Sequence, residues 1–189
     1  MNFPFIHEDK ELWYSRSVAV GLYVFGKNRK GEWHVLMNKR GVGCPSNHHK
    51  WNAPCGYLDF DETLQLAAVR ECMEETGVIT DPDDLKLCRV DSIPVGEKQN
   101  VTISFYTVLP QPIENYKLTS QHSEKNEVEG IRFINIGDLN TQENLSFAFQ
   151  HNKIAKMIFE NFVKPKNIIQ KFRVRAYERI IKKIFEKKL

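Results

Sequence analysis

From Thr63 to Gly77 the chain reads Thr-Leu-Gln-Leu-Ala-Ala-Val-Arg-Glu-Cys-Met-Glu-Glu-Thr-Gly, and no other stretch restricts its own conformation so tightly. Alanine, leucine, glutamate and methionine are strong helix formers. Asp61 and Thr63 can cap the first free amides, and Gly77 ends the run. On a helix each residue turns roughly 100°, so positions i, i+3 and i+4 share a face. Glu71, Glu74 and Glu75 have that spacing, while Leu66, Val69 and Met73 fall on the other side and read as an apolar stripe. Three carboxylates on one face repel one another, so solvent or a cation must offset them. Ala67 and Ala68, one turn back, leave room above the backbone, and Arg70 is placed to orient a carboxylate. Hard oxygen ligands clustered this way suit magnesium or manganese. A solvated acidic face is the other reading.

The flanking segments predict a sheet. Ser17–Phe25 is apolar and β-branched, Gly26–Gly31 is a glycine-bounded polar turn, and Trp33–Asn38 resumes as a strand, so the two pair as a hairpin. Gly41–Lys50 reads as a loop. Leu85–Ile93, Val101–Leu109 and Ile131–Ile136 are further strands, and Phe147–Val163 is a helix with Ile154, Met157, Ile158 and Phe162 as its apolar stripe. Strands and helices mix without strict alternation, which points to an α/β domain with a mixed sheet covered by helices.

Hydrophobic residues make up 41% and charged residues 27% of the 189, which is ordinary for a globular domain. No apolar run approaches the ~18 residues of a spanning helix. Met1–Leu12 carries His7, Glu8, Asp9 and Lys10 and lacks an apolar signal core, so the cytoplasm is the default. Cys44, Cys55, Cys72 and Cys88 are scattered and read as reduced thiols. Cys44, His48, His49 and Cys55 lie close in sequence, but structural zinc sites bring their ligands in tight pairs. Two loop histidines near two unrelated cysteines is the reading adopted.

Charge divides the chain. From Lys164 to Leu189 there are ten Lys/Arg and two Asp/Glu, and the first 163 residues hold 17 basic and 22 acidic side chains. The chain therefore reads as a domain over 1–163 and a basic amphipathic helix over 164–189. Ile169, Phe172, Ala176, Ile180 and Ile184 lie at helical spacing in the latter. Such a helix could pack on the domain or on a second copy of the chain as a homodimer, lie on a membrane surface, or contact RNA.

Gly56, Glu62, Arg70, Glu71, Cys72, Glu74, Glu75, Gly77 and Val78 match every fixed position of the signature G-x5-E-x7-R-E-U-x-E-E-x-G-U, with U an apolar residue. In this the chain resembles the Nudix hydrolases. Seven identities fixed over 23 residues leave negligible room for coincidence. The resemblance extends from about Ser17 to Val163 and implies an α/β/α sandwich. It also implies that Glu71, Glu74 and Glu75 hold magnesium, with Glu62 reaching in directly or through water, the main-chain carbonyl of Cys55 as a further ligand, and Arg70 orienting a glutamate. Cys55 stands where the family commonly has Gly or Ala, and its thiol reads as structural.

The activity implied is attack of water on a diphosphate phosphorus, with a carboxylate taking the proton. Glu71 is one candidate base. A glutamate before the last strand is the other, where Glu124, Glu127 and Glu129 are available and Glu127 fits the resemblance best. Lys39 and Arg40 could grip phosphate oxygens, and Trp51, Tyr57 and Phe105 could stack on a base. The substrate class expected is a nucleoside diphosphate linked to another group, or a nucleoside triphosphate. A nucleotide-binding module without chemistry and a diphosphate isomerase are the alternatives. All four signature glutamates are present, which favours hydrolysis.

Overall fold

The computed structural model describes residues 3–94, 100–141 and 145–164. A two-stranded hairpin, β1 (Phe3–His7) and β2 (Lys10–Tyr14), opens the chain, turning through Glu8 and Asp9, which both have positive φ. Nothing in the sequence reading anticipated it. The other strands form one seven-stranded sheet.

The hairpin expected around Gly26–Gly31 is present: β3 (Val18–Lys27) and β4 (Trp33–Arg40) run antiparallel. They pair only at the turn end, from Phe25↔Val35 to Lys27↔Trp33, and then part. The segment 51–57 fills the gap. Its first piece, β5 (Trp51–Asn52), pairs with Lys39 and Asn38 of β4, and its second, β6 (Cys55–Tyr57), pairs with Ala19–Gly21 of β3. The Leu22 amide adds a bond to the Pro54 carbonyl at 2.9 Å. The helix α1 (Leu64–Thr76) follows directly, so it is launched from the middle of the sheet.

Beyond α1, β7 (Lys86–Asp91) lies antiparallel to β8 (Val101–Val108), and β8 runs parallel to β3 from Val18 to Phe25. β9 (Val128–Asn135) lines the far side of β4, with an irregularity between Lys39 and Arg40 where Glu129 is passed over. One parallel pair among antiparallel ones makes this the mixed, open sheet expected.

Alternation along the strands divides the interior in two. Val20, Leu22, Val24, Leu36 and Phe105 pack with Ala67, Ala68 and Cys72 of α1. Tyr23, Phe25, Val35, Met37 and Ile134 pack with Ala155 and Ile158 of α2 (His151–Ile158) on the opposite face. Helices on both faces give the layered arrangement. Each fully buried side chain of the size of Leu22 or Phe25 contributes about 1.5–3 kcal/mol.

Two expectations are corrected. The stripe of α1 that meets the sheet is Ala67, Ala68, Cys72, Glu75 and Thr76, and Leu66 is 48% exposed. The acidic side of the helix faces inward because its small residues let the helix axis approach the sheet closely, and large apolar side chains are not needed there. The second helix starts at His151 instead of Phe147. Trp51 donates to Ser146 O (2.8 Å) and Ala148 donates to Trp51 O (2.9 Å), so residues 146–148 are spent on the edge of β5. Phe149 and Gln150 then turn the chain with φ of 52° and 59°. The expected apolar stripe is otherwise in place, and Phe159–Val163 widens into a π-turn.

All four cysteines are free thiols. No helix among the described residues is long and apolar enough to cross a membrane. The basic helix expected over 164–189 lies, but for Lys164, outside the described residues.

Candidate functional site

The site is built where the inserted strand β6 meets α1. Thr63 caps the helix, its hydroxyl accepting from the Leu66 amide at 3.3 Å, and Gly77 closes it in the left-handed conformation with φ 75°. These caps fix the helix's register against the sheet. Two residues of β6, the signature glycine Gly56 and Cys55 before it, then touch carboxylates of the helix. The Cys55 amide donates to Glu75 Oε2 at 3.0 Å. The Glu71 carboxylate lies against Gly56, in the space a Cβ would take.

Arg70 organises the remainder. Its Nε and Nη2 hold Glu62 bidentately at 3.1 and 2.8 Å. Nη1 reaches Glu71 Oε1 at 2.8 Å and Glu74 Oε2 at 3.2 Å, and Nη2 also donates to the Tyr57 carbonyl at 3.0 Å. Glu62 Oε1 in addition accepts from the Asp59 amide at 2.8 Å. Both Glu62 oxygens are thus engaged. Glu71, Glu74 and Glu75 differ: among the described residues each has one carboxylate oxygen in these bonds and the other outside them.

Electrostatics follows from burial. The hydrogen bonds from Arg70 hold Glu62 below the usual carboxylate range. Glu71 is pushed up to about 7, chiefly by burial, with Arg70 opposing. Glu75, 2% exposed, is raised well above the ordinary value by burial and then by the charge of Glu71. Glu127 is raised by burial and by Glu124. The charge of Glu127 also raises Glu71 and Glu75, each as a minor cause. Buried carboxylates favour protonation unless positive charge stands near.

The other loop glutamates are placed differently. Glu129 is taken by Lys39 (2.6 Å) and His49 (2.7 Å), and Glu124 is exposed. Lys39 and Arg40 are neighbours on a strand and point to opposite sides. Lys39 is therefore spent on Glu129 and not brought to the carboxylates. Arg40 is 9% exposed, donates through Nε to Ser46 O at 3.0 Å, lies 5.2 Å from the Phe149 ring, and eases the charge on Glu75 and Glu127.

Of the aromatics considered for stacking, Phe105 is 1% exposed and belongs to the core. The Arg132 guanidinium covers Trp51 at 4.5 Å, and Tyr57 is half-exposed with its hydroxyl accepting from Asn100 at 3.1 Å. Phe149, half-exposed beside Arg40, escaped the sequence reading because it lay inside a segment read as helix. In the histidine and cysteine cluster, His48 bonds the Cys44 carbonyl, His49 bonds Glu129, and Cys44 donates its thiol to Glu127 O. Among the described residues no group of three or more His, Cys, Asp or Glu stands arranged to hold a metal ion, since Arg70 draws Glu71 and Glu74 while Glu75 turns to Cys55. The Cys55 thiol is pushed up to about 12 by burial, which makes it inert packing.

The family model described as NUDIX domain matches residues 15–157. The m7GpppN-mRNA hydrolase NUDT17 of Danio rerio is 34% identical over 71 residues, covering 38% of this chain and 23% of that protein. The chain spans 21% to 37% of the length of the first curated relatives it matches. Among solved structures, the NUDIX domain of Shewanella oneidensis NrtR complexed with ADP ribose superposes with a TM-score of 0.61 at 18% identity, covering 78% of this chain and 88% of that one. A bifunctional NMN adenylyltransferase/ADP ribose pyrophosphatase from Francisella tularensis, complexed with AMP and a manganese ion, gives 0.58 at 19% identity, covering 77% and 42%.

Proposed function

Since the chain belongs to the NUDIX domain family, we propose that it is a magnesium-dependent hydrolase cleaving the diphosphate linkage of a nucleoside diphosphate joined to another group. The observation that carries the reading is the unequal use of the four signature glutamates. Glu62 gives both oxygens to Arg70 and the Asp59 amide, while Glu71, Glu74 and Glu75 each keep one outside such bonds. Turned from Arg70 toward one point, these oxygens and the main-chain carbonyl of Cys55 would supply an all-oxygen donor set, whose chemistry suits magnesium or manganese and no soft metal. Such a cation would offset the negative charge of the diphosphate and make water a better nucleophile.

The protein's own part follows from its contacts. Glu62 holds the Arg70 guanidinium, and Arg70 in turn fixes the angles of Glu71 and Glu74. The Cys55 amide does the same for Glu75. Arg40, bonded among the described residues through Nε, presents its Nη groups to phosphate oxygens. Glu127 takes the proton of the attacking water. Glu71 is the weaker candidate for that role because Arg70 already binds it. Glu129 is occupied by Lys39 and His49. ADP ribose, held by the Shewanella domain, belongs to the substrate class proposed.

The test is release of phosphate or nucleoside monophosphate from a panel of ADP ribose, nucleotide sugars, dinucleoside polyphosphates and nucleoside triphosphates, with and without magnesium. Wild type should turn over at least one of them only with the metal. Glu74→Gln and Glu75→Gln should each lose most of that rate, and turnover surviving both changes would remove the assignment.

A further inference from the structure

The chain leaves β4 through Gly41-Val42-Gly43-Cys44, and three donors of this loop converge on the segment that carries Glu127. Gly41 N donates to Glu127 O at 2.7 Å, Gly43 N to Asn126 O at 2.8 Å, and the Cys44 thiol to Glu127 O at 3.3 Å. Asn126 is held with φ 62°. A Cβ on Gly41 would overlap the Asn126 carbonyl, and one on Gly43 would lie 2.5 Å from Lys125 O and 2.9 Å from Asn126 C. Neither glycine has a positive φ, since Gly31 and Gly77 alone do among the described glycines. The backbone of both positions therefore admits alanine. Glycine there serves the close approach of two loops and not an unusual conformation.

We infer that Gly41 and Gly43 are positioning residues for Glu127, setting the depth of its carboxylate through the main chain of residues 125–127. The inference rests on the reading of Glu127 as the group that takes the proton from water. A general base works only within hydrogen-bond reach, and a displacement on the order of 1 Å in such a site costs about 100-fold in rate. A methyl group on Gly43 demands a shift of that order from the Lys125 carbonyl and a smaller one from Asn126, whose carbonyl carbon bears the Glu127 amide. Val42, between the two glycines, is 62% exposed and contributes nothing to the contact.

The experiment is a double-substitution cycle on the full chain. Gly41→Ala, Gly43→Ala and Val42→Ala are made in the wild type and in Glu127→Gln, and kcat and KM are measured on the best substrate of the panel above. Gly43→Ala should lower kcat about 10- to 100-fold, with KM moved less than about threefold, and Val42→Ala should do neither. In Glu127→Gln the Gly43→Ala change should cost nothing further, because the group it misplaces is already gone. Losses that multiply in the double variant, or full activity in Glu127→Gln, would overturn the inference while leaving hydrolysis intact.

Amide hydrogen exchange provides a reading independent of turnover. The amides of Gly41 and Gly43, which donate to the Glu127 and Asn126 carbonyls, should exchange slowly in the wild type. That of Gly41 should be released in Gly43→Ala, with Cys44→Ala as a milder variant should the alanine disturb folding. Fast exchange in the wild type removes the clamp even if no panel substrate is cleaved. Absence of any turnover counts against the proposed function alone.

Discussion

The Glu71 carboxylate and the Cα of Gly56 are packed against each other so closely that one added methyl group would displace the acid. Gly56 has no positive φ, so alanine is conformationally acceptable there, and the group it strikes is the mobile end of a side chain. Gly56→Ala should therefore leave thermal stability within about 1 kcal/mol of the wild type and lower kcat/KM by about 100-fold through the misplaced Glu71. A variant that melts early yet hydrolyses normally would contradict this.

Adjacent cations should behave unequally. Arg40 lowers the pKa of Glu75 and Glu127 by its charge, whereas Lys39 is paired with Glu129. Removing a charged hydrogen-bond donor to phosphate costs about 1.5–3 kcal/mol, so Arg40→Ala should raise KM by about 10- to 100-fold. Lys39→Ala breaks only a surface pair with Glu129 and should leave KM nearly unchanged. Steady-state kinetics of the two variants, side by side, decides the matter. Equal effects would mean that the strand's alternation is misread.

The inward face of α1 can be tested by stability alone. Ala68 is 1% exposed beside Val20 and Leu22, whereas Leu66 is 48% exposed. Ala68→Leu overpacks the interior and should cost about 1–3 kcal/mol. Leu66→Ala should change stability by no more than about 0.5 kcal/mol. Urea denaturation of both reports the ranking, and the reverse order would place the apolar stripe where residue size suggested it.

Acid should weaken the fold through His151. Its ring accepts the Ala53 amide at 2.9 Å, and burial, with Arg40 assisting, pushes its pKa down to about 4. The unfolded chain binds this proton near pH 6.5 and the folded chain does not until about pH 4. Stability from this residue is thus complete above pH 6.5 and is lost as pH falls through that window, by on the order of 3 kcal/mol. The buried glutamates, raised in pKa, act in the opposite sense. The difference between wild type and His151→Asn, followed by urea unfolding from pH 7 to pH 4.5, isolates the histidine. A difference that does not change with pH would show that His151 titrates alike in the folded and unfolded chain.

Legibility of the sequence tracked the length over which a pattern repeats. Strands of eight or ten residues such as β4 and β3, and the capped α1, announce themselves through periodicity and end signals. β5 and β6, of two and three residues, are too short to have a period, and only their partners reveal them. The facing of α1 runs against side-chain size, because close packing against a sheet selects Ala67 and Ala68. At the site, the signature made Glu62, Arg70, Glu71, Glu74 and Glu75 readable as a set. That Glu62 would be fully engaged by Arg70, that Lys39 would turn to Glu129, and that Gly41 and Gly43 would grip residues more than eighty positions away depends on long-range register, which local pattern does not carry.

The strip from Trp51 to Tyr57 is stitched on both borders, to β4 on one side and β3 on the other. Its carbonyls and amides can shift only if the sheet itself tears. The hydrolysis proposed above would thereby draw on the two-sided support of the fold's centre, while the loops 41–50 and 124–127 hang from strand ends. Selection can rewrite those loops without loosening the strip itself.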